Sequence, residues 1–136
     1  MKGKASIVAV LLLVLTLTAM AAAGSPVKNV TVGKAQGLIK ESLGKVDFVI
    51  LDVRTPEEFA DGHIDGAVNL DVQSRDFEKK LRALDRNKSY LVYCRTGNRS
   101  RQAVIAMEAL GFRSIFHMYE GIVKWKQQDL PLARTS

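Results

Sequence analysis

Two short apolar runs constrain this chain more than any other feature. Residues 48–53 read Phe-Val-Ile-Leu-Asp-Val and residues 90–93 read Tyr-Leu-Val-Tyr. Neither run alternates apolar with polar residues, so a strand made from either hides both of its faces. Parallel sheets with helices on both sides ask for strands of that kind. The intervening segments supply the helices. Residues 27–32 predict a weak first strand. Residues 33–43 predict a helix, with Ala35, Leu38, Ile39 and Leu43 near helical spacing. Thr55, Pro56 and Glu58 have the N-cap, first-position and reciprocal-cap pattern of a helix start, and Gly62 ends that short helix. Residues 67–70 predict a third strand, 75–84 an amphipathic helix, 102–110 a further helix, 114–118 the fifth strand and 122–128 a last helical piece. Strand–helix alternation of this kind predicts an α/β fold: a central, mainly parallel five-stranded sheet with helices on both faces. Such sheets build their sites at the carboxyl ends of strands. Cys94 stands directly after residues 90–93.

The first 23 residues are different in kind. Lys2 and Lys4 precede a stretch without charge that lasts until Lys28, and residues 7–17 are almost purely Ile, Val, Leu and Ala. Ala19, Ala21, Ala22 and Ala23 then lead into Gly24-Ser25-Pro26. A basic start, a short apolar core and small residues at the end predict a secretory signal peptide over residues 1–23, cut after Ala23 or after Ala21. An uncleaved membrane anchor is the alternative reading, because about 20 uncharged residues span a bilayer. Both readings put the globular part, a single domain over residues 27–132, outside the cytoplasm, periplasmic or otherwise exported. The full chain carries a formal charge of +6, and loss of residues 1–23 removes two lysines and no acid, leaving +4. That excess favours small anions and does not argue for nucleic acid. Lys79, Lys80, Arg82, Arg86 and Lys88 are interspersed with Asp76, Glu78 and Asp85, as on a solvated helix face.

Cys94 is the one cysteine. No intramolecular disulfide can form, and an unpaired thiol in an exported chain is exposed to oxidation unless it is buried or put to use. Its surroundings point to use. Cys94-Arg95-Thr96-Gly97-Asn98-Arg99-Ser100 joins a buried strand to a helix. Gly97 permits backbone conformations that other residues avoid. A loop that curls its N–H groups toward one point, with a helix N-terminus behind it, is an anion site. A cysteine placed there is favoured as the nucleophilic thiolate. Arg95 and Arg99 add positive charge, and their planar forks suit oxyanions.

These residues carry a resemblance. The segment from Cys94 to Ser100 is similar to the active-site loop of the rhodanese family. So are Leu51-Asp52-Val53-Arg54-Thr55-Pro56-Glu57-Glu58-Phe59 and the Gly62-His63-Ile64-Asp65-Gly66-Ala67-Val68-Asn69 block behind it, in order and spacing. Glu120-Gly121, Trp125 and Leu130-Pro131 resemble the closing pattern, with Glu120 where the family often has the first of two glycines. That exchange predicts an altered pocket rim. The resemblance extends over residues 27–132, and with the leader it is closest to small periplasmic single-domain members. It implies a rhodanese-like fold and sulfur transfer: Cys94 takes the outer sulfur of thiosulfate or a similar anionic donor, holds it as a persulfide and passes it to a thiol, cyanide or a protein acceptor. The backbone N–H groups of Arg95, Thr96, Gly97, Asn98, Arg99 and Ser100 would hold the persulfide, and the Arg95 and Arg99 side chains would recruit the donor. No cofactor enters that chemistry, and one cysteine with two distant histidines predicts no metal site.

Other residues in the matching blocks have structural expectations. Asp52 is expected to cap a turn or pair with an arginine, Arg54 to pair with Glu57 or Glu58, His63 to fix the turn into strand three, and His117 to be packed. Three other functions compete. Dual-specificity phosphatases of the cell-cycle type share the fold, and arsenate reduction belongs with that reading. Their loop has five residues between cysteine and arginine, whereas four separate Cys94 from Arg99 and Ser100 occupies the position a phosphatase needs. An inactive binding module, or a carrier handing persulfide to a partner, is the second. A thiol redox protein is the third, against which stands the lack of a second cysteine to resolve a disulfide.

Overall fold

The computed structural model describes residues 24–136; the predicted signal segment, residues 1–23, lies outside the described residues. Five strands alternate with five helices: β1 (Val27–Val30), α1 (Val32–Glu41), β2 (Phe48–Asp52), α2 (Pro56–Asp61), β3 (Val68–Asn69), α3 (Phe77–Arg82), β4 (Ser89–Tyr93), α4 (Asn98–Ala109), β5 (Ser114–Met118) and α5 (Gly121–Gln127). The strands form one sheet in the order β1-β5-β4-β2-β3. Every neighbouring pair is parallel.

The two apolar runs become the centre of this sheet. In β4, Leu91 and Tyr93 join one core cluster with Ala35 of α1 and Ile122 and Trp125 of α5. Tyr90 and Val92 join the other with Phe77 and Leu81 of α3 and Ala103 and Met107 of α4. Successive side chains of a strand point to opposite faces, so an unbroken apolar run is what a strand covered on both sides requires. The expected α/β architecture with helices on both faces is therefore present.

Differences from the sequence expectation sit at element ends. β1 stops at Val30 because Thr31 turns into the N-cap of α1, its Oγ1 accepting from Lys34 N–H at 3.2 Å. β3 keeps two residues: Gly66 turns with φ +81°, and the Asn69 amide then donates to the carbonyls of Asp52 and Arg54. α3 is shorter at both ends than residues 75–84. The largest difference is at α4, which begins at Asn98 rather than residue 102. Its first turn, Asn98-Arg99-Ser100, is polar, so no hydrophobic periodicity marks it.

Glu120 also differs from expectation. Its Oε2 accepts the Val32 N–H at 2.7 Å, and a carboxylate on that otherwise unpaired first-turn donor suits the positive end of a helix. It ties the β5–α5 turn to α1 and does not edge the site.

Candidate active site

The carboxyl ends of β4, β2 and β5 meet at Cys94. After β4 the chain runs through Arg95 and Thr96 to Gly97, whose φ of +99° lets it enter α4 at once. Gly97 N–H donates to Cys94 Sγ at 3.1 Å, and the Cys94 thiol donates to Ser100 Oγ at 3.3 Å. Asn98, Arg99 and Ser100 are the first three residues of the 12-residue α4, where backbone N–H groups lack intrahelical acceptors and carry the helix's positive end. The sulfur is thus set among donors suited to negative charge. Cys94 has no solvent exposure (0 %), so a rim side chain has to move before a reagent reaches it.

The loop is held by backbone contact with the β5–α5 turn. Ile122 N–H donates to the Cys94 carbonyl at 2.9 Å, and Val123 N–H to the Arg95 carbonyl at 3.2 Å. A Cβ on Gly97 would overlap the Tyr119 carbonyl oxygen, and one on Gly121, where φ is +72°, would overlap the Arg95 carbonyl oxygen. Both positions therefore need glycine for space as well as for conformation.

The charged residues pair differently from the expected pattern in one respect. Arg54 does not pair with Glu57 or Glu58. It pairs with Asp52, Nη2 to Oδ2 at 2.7 Å, and also donates to the Gly62 carbonyl at 2.7 Å. Both residues of the pair are buried at the end of β2, where only a fully bonded ion pair is tolerable. Burial opposes the Arg54 charge, and the Asp52 carboxylate outweighs that effect and raises the guanidinium pKa above its ordinary value. Asp52 pairing with an arginine was one of its two expected roles. His63 also meets its expectation: Nδ1 donates to the Phe59 carbonyl at 2.7 Å and the ring stacks on Phe59, fixing the turn before β3.

Glu58 takes Arg99 instead. The guanidinium donates to both carboxylate oxygens, at 2.7 and 2.9 Å, across 41 residues of sequence. Glu58 also completes the capping box on Thr55. Arg99 therefore straps the first turn of α4 to the start of α2, and its charge is largely answered before any donor arrives. Arg95 is exposed. Beside it lies a cavity of about 430 Å³ bordered by Arg54, Arg95 and Lys126 and also by Glu58 and Asp61.

His117 is not simply packed. Its Nε2 lies 2.7 Å from Ser100 Oγ and its Nδ1 lies 3.2 Å from Asn29 Oδ1. Asn29 and His117 are cross-strand partners in the β1–β5 register. The available signal was one histidine in an otherwise apolar strand. Its partner could not be chosen without the strand order, which puts β1 beside β5.

Two tests follow from this geometry. Gly121→Ala should cost about 3 kcal/mol or more, since it combines a left-handed backbone with overlap against a carbonyl that cannot retreat. Chemical denaturation measures it, and a loss below about 1 kcal/mol would show that the two segments can separate cheaply. The Arg99 hydrogen bonds lower the Glu58 carboxyl from 4.5 to about 2. A depressed carboxylate stabilises the fold above its unfolded pKa, and that stabilisation is lost as pH falls through the folded value. The advantage of wild type over Glu58→Gln should therefore shrink from about pH 4.5 down to about 2. A gap constant across that range would contradict the pairing.

Residues 35–128 match the family model described as Rhodanese-like domain. The chain is 33 % identical over 126 residues to the protein YibN of Escherichia coli (strain K12), covering 91 % of this chain and 85 % of that one. It is 29 % identical over 86 residues to a protein named Sulfurtransferase from Allochromatium vinosum, covering 63 % of this chain and 78 % of that one. Among solved structures, a rhodanese-related protein from Thermoplasma volcanium superposes with a TM-score of 0.61 at 30 % identity, covering 71 % of this chain and 92 % of that one. With the parallel five-stranded sheet and the cysteine loop at its carboxyl edge, these likenesses make the chain a member of the rhodanese-like family of sulfurtransferases.

Proposed function

We propose that the protein is a thiosulfate sulfurtransferase that works through a persulfide on Cys94. One observation carries this reading: the Cys94 sulfur lies 3.1 Å from the Gly97 amide, against the first turn of α4. In the first half-reaction the Cys94 thiolate attacks the outer sulfur of thiosulfate. A new S–S bond forms, the donor's S–S bond breaks, and the electron pair leaves with sulfite. In the second, a thiol or cyanide attacks the outer sulfur and Cys94 departs as thiolate. No electrons enter or leave, so no cofactor takes part. This is covalent catalysis by an activated nucleophile.

The side chains divide the remaining work. The amides of the segment from Arg95 to Ser100 hold the persulfide. Arg95 and Lys126 border the adjoining cavity and attract the doubly negative donor. Arg99 positions the loop through Glu58 more than it meets the donor. The loop length favours sulfur over phosphate, since four residues between Cys94 and Arg99 make a small ring of amides. A protein thiol is also an acceptable second substrate. We assign residues 1–23 as a signal peptide that takes the protein out of the cytoplasm.

Intact-mass measurement tests the chemistry. Wild type incubated with thiosulfate should gain the mass of one sulfur atom, and folded Cys94→Ser should gain none and lose sulfurtransferase activity. Hydrolysis of an aryl phosphate should be negligible. Efficient phosphate-ester hydrolysis without sulfur uptake would refute the assignment. For export, N-terminal sequencing of native protein should begin at or near Gly24; a native chain that keeps Lys2 would establish an anchor instead.

A further inference from the structure

A buried thiol has to lose its proton before it can attack, and the proton needs a route. Cys94 has two hydrogen-bond partners among the described residues. One is the Gly97 N–H, which can only donate. The other is Ser100 Oγ, which can accept. Ser100 is itself fully buried and touches His117 Nε2 at 2.7 Å. Asn29 presents Oδ1 to His117 Nδ1 at 3.2 Å, a contact that is satisfied when the ring carries its hydrogen on Nδ1. Nε2 then has a lone pair facing the Ser100 hydroxyl.

We infer that Ser100, His117 and Asn29 form a proton relay that converts the Cys94 thiol to thiolate, with His117 as the base acting through Ser100 and Asn29 as its positioning partner. The inference rests on the sulfurtransferase reading for its purpose. The transfer is balanced: the thiol hydrogen passes to Ser100 Oγ, the Ser100 hydroxyl hydrogen passes to His117 Nε2, and thiolate and imidazolium remain. The Ser100 hydroxyl donates to the Gly97 carbonyl at 3.0 Å, turns from it to Nε2 for the transfer, and can return to it afterwards. His117 and Asn29 border a cavity of about 480 Å³, distinct from the one beside Arg95, through which the imidazolium can return its proton to solvent.

The charge state of His117 fits this role. Burial lowers its pKa below the ordinary 6.5, the Gly97 carbonyl opposes that effect, and Arg101 adds to the lowering. The ring is therefore a neutral acceptor at neutral pH. Arg101 and Glu108 from α4 and Tyr119 after β5 line the same cavity as His117, Cys94 is reached from the ring through Ser100, and from β1 the ring faces the neutral Asn29.

The rate of Cys94 alkylation by iodoacetamide, followed against pH by intact mass, tests the relay without requiring sulfur transfer. Wild type should show an inflection below the ordinary histidine value, with the rate falling as His117 becomes protonated. His117→Gln keeps a polar contact to Ser100 but cannot take the proton. It should lose that inflection and react about a hundredfold more slowly or worse at neutral pH, within the usual range for acid–base catalysis, with recovery in alkali. Asn29→Asp changes a residue on the exposed face of edge strand β1 and should move the inflection upward by stabilising the imidazolium. An unchanged profile in folded His117→Gln, or an unmoved inflection in Asn29→Asp, would overturn the relay. Loss of the inflection in a protein whose wild type takes no sulfur from thiosulfate would uphold the relay and defeat the sulfurtransferase reading instead.

Discussion

Gly97 and Gly121 each lack the Cβ that would overlap a carbonyl oxygen of the other's segment, Tyr119 in one case and Arg95 in the other. This reciprocal backbone contact sets the loop after β4. It brings the N-terminal amides of α5 onto the carbonyls of Cys94 and Arg95, so these acceptors are satisfied while the Gly97 N–H meets the sulfur. It also fixes the β5–α5 turn, from which Glu120 reaches the first amide of α1. The site is therefore coupled to α5 through backbone and to α1 through the Glu120 side chain. Backbone-to-backbone contacts of this closeness cannot adjust by changing a rotamer. The loop geometry is correspondingly insensitive to the surface side chains around it.

Charge follows the same logic of prior commitment. Of the arginines near the sulfur, Arg54 is answered by Asp52 and Arg99 by Glu58. The Asp52–Arg54 pair is buried, and such a pair contributes little net stability, because desolvation consumes most of its attraction. What these pairs provide is position: Arg54 also holds the Gly62 carbonyl, and Arg99 joins α2 to α4. With both guanidiniums satisfied internally, the cations among the described residues that remain unpaired at the cavity beside Arg95 are the exposed Arg95 and Lys126. Those groups act through long-range attraction, which depends on ionic strength, more than through fixed hydrogen bonds.

The elements whose residues report burial directly were readable from the sequence. The apolar runs in β2 and β4 announced a doubly covered parallel sheet, and Thr55, Pro56 and Glu58 announced the capping box of α2. The start of α4 was missed because its first turn is polar, and polar residues report exposure poorly when they are buried by hydrogen bonding. Ser100 is fully buried in that turn. The pairings were missed for a different reason. Glu58 has Arg54 four residues away and Arg99 41 residues away, and local separation favours the wrong partner. Asp52 wins Arg54 because both lie at the end of one buried strand, leaving Glu58 for α4. Long-range pairing of this sort depends on strand order, which spacing along the chain does not encode. The same holds for His117 and Asn29, 88 residues apart and adjacent in the sheet.

The burial of Cys94 joins two demands that look opposed. A reactive thiolate is also the form most readily oxidised, so exposure that speeds transfer also speeds damage. Here the sulfur has no solvent exposure and accepts the Gly97 N–H. Enclosure excludes bulk water and thereby strengthens each amide–sulfur interaction. It also removes water as the thiol's proton acceptor, which makes an internal acceptor necessary. Ser100 is that acceptor among the described residues, and it stands between the sulfur and a histidine that borders a second, solvent-reaching cavity. The cavity that His117 borders and the one beside Arg95 have no lining residue in common.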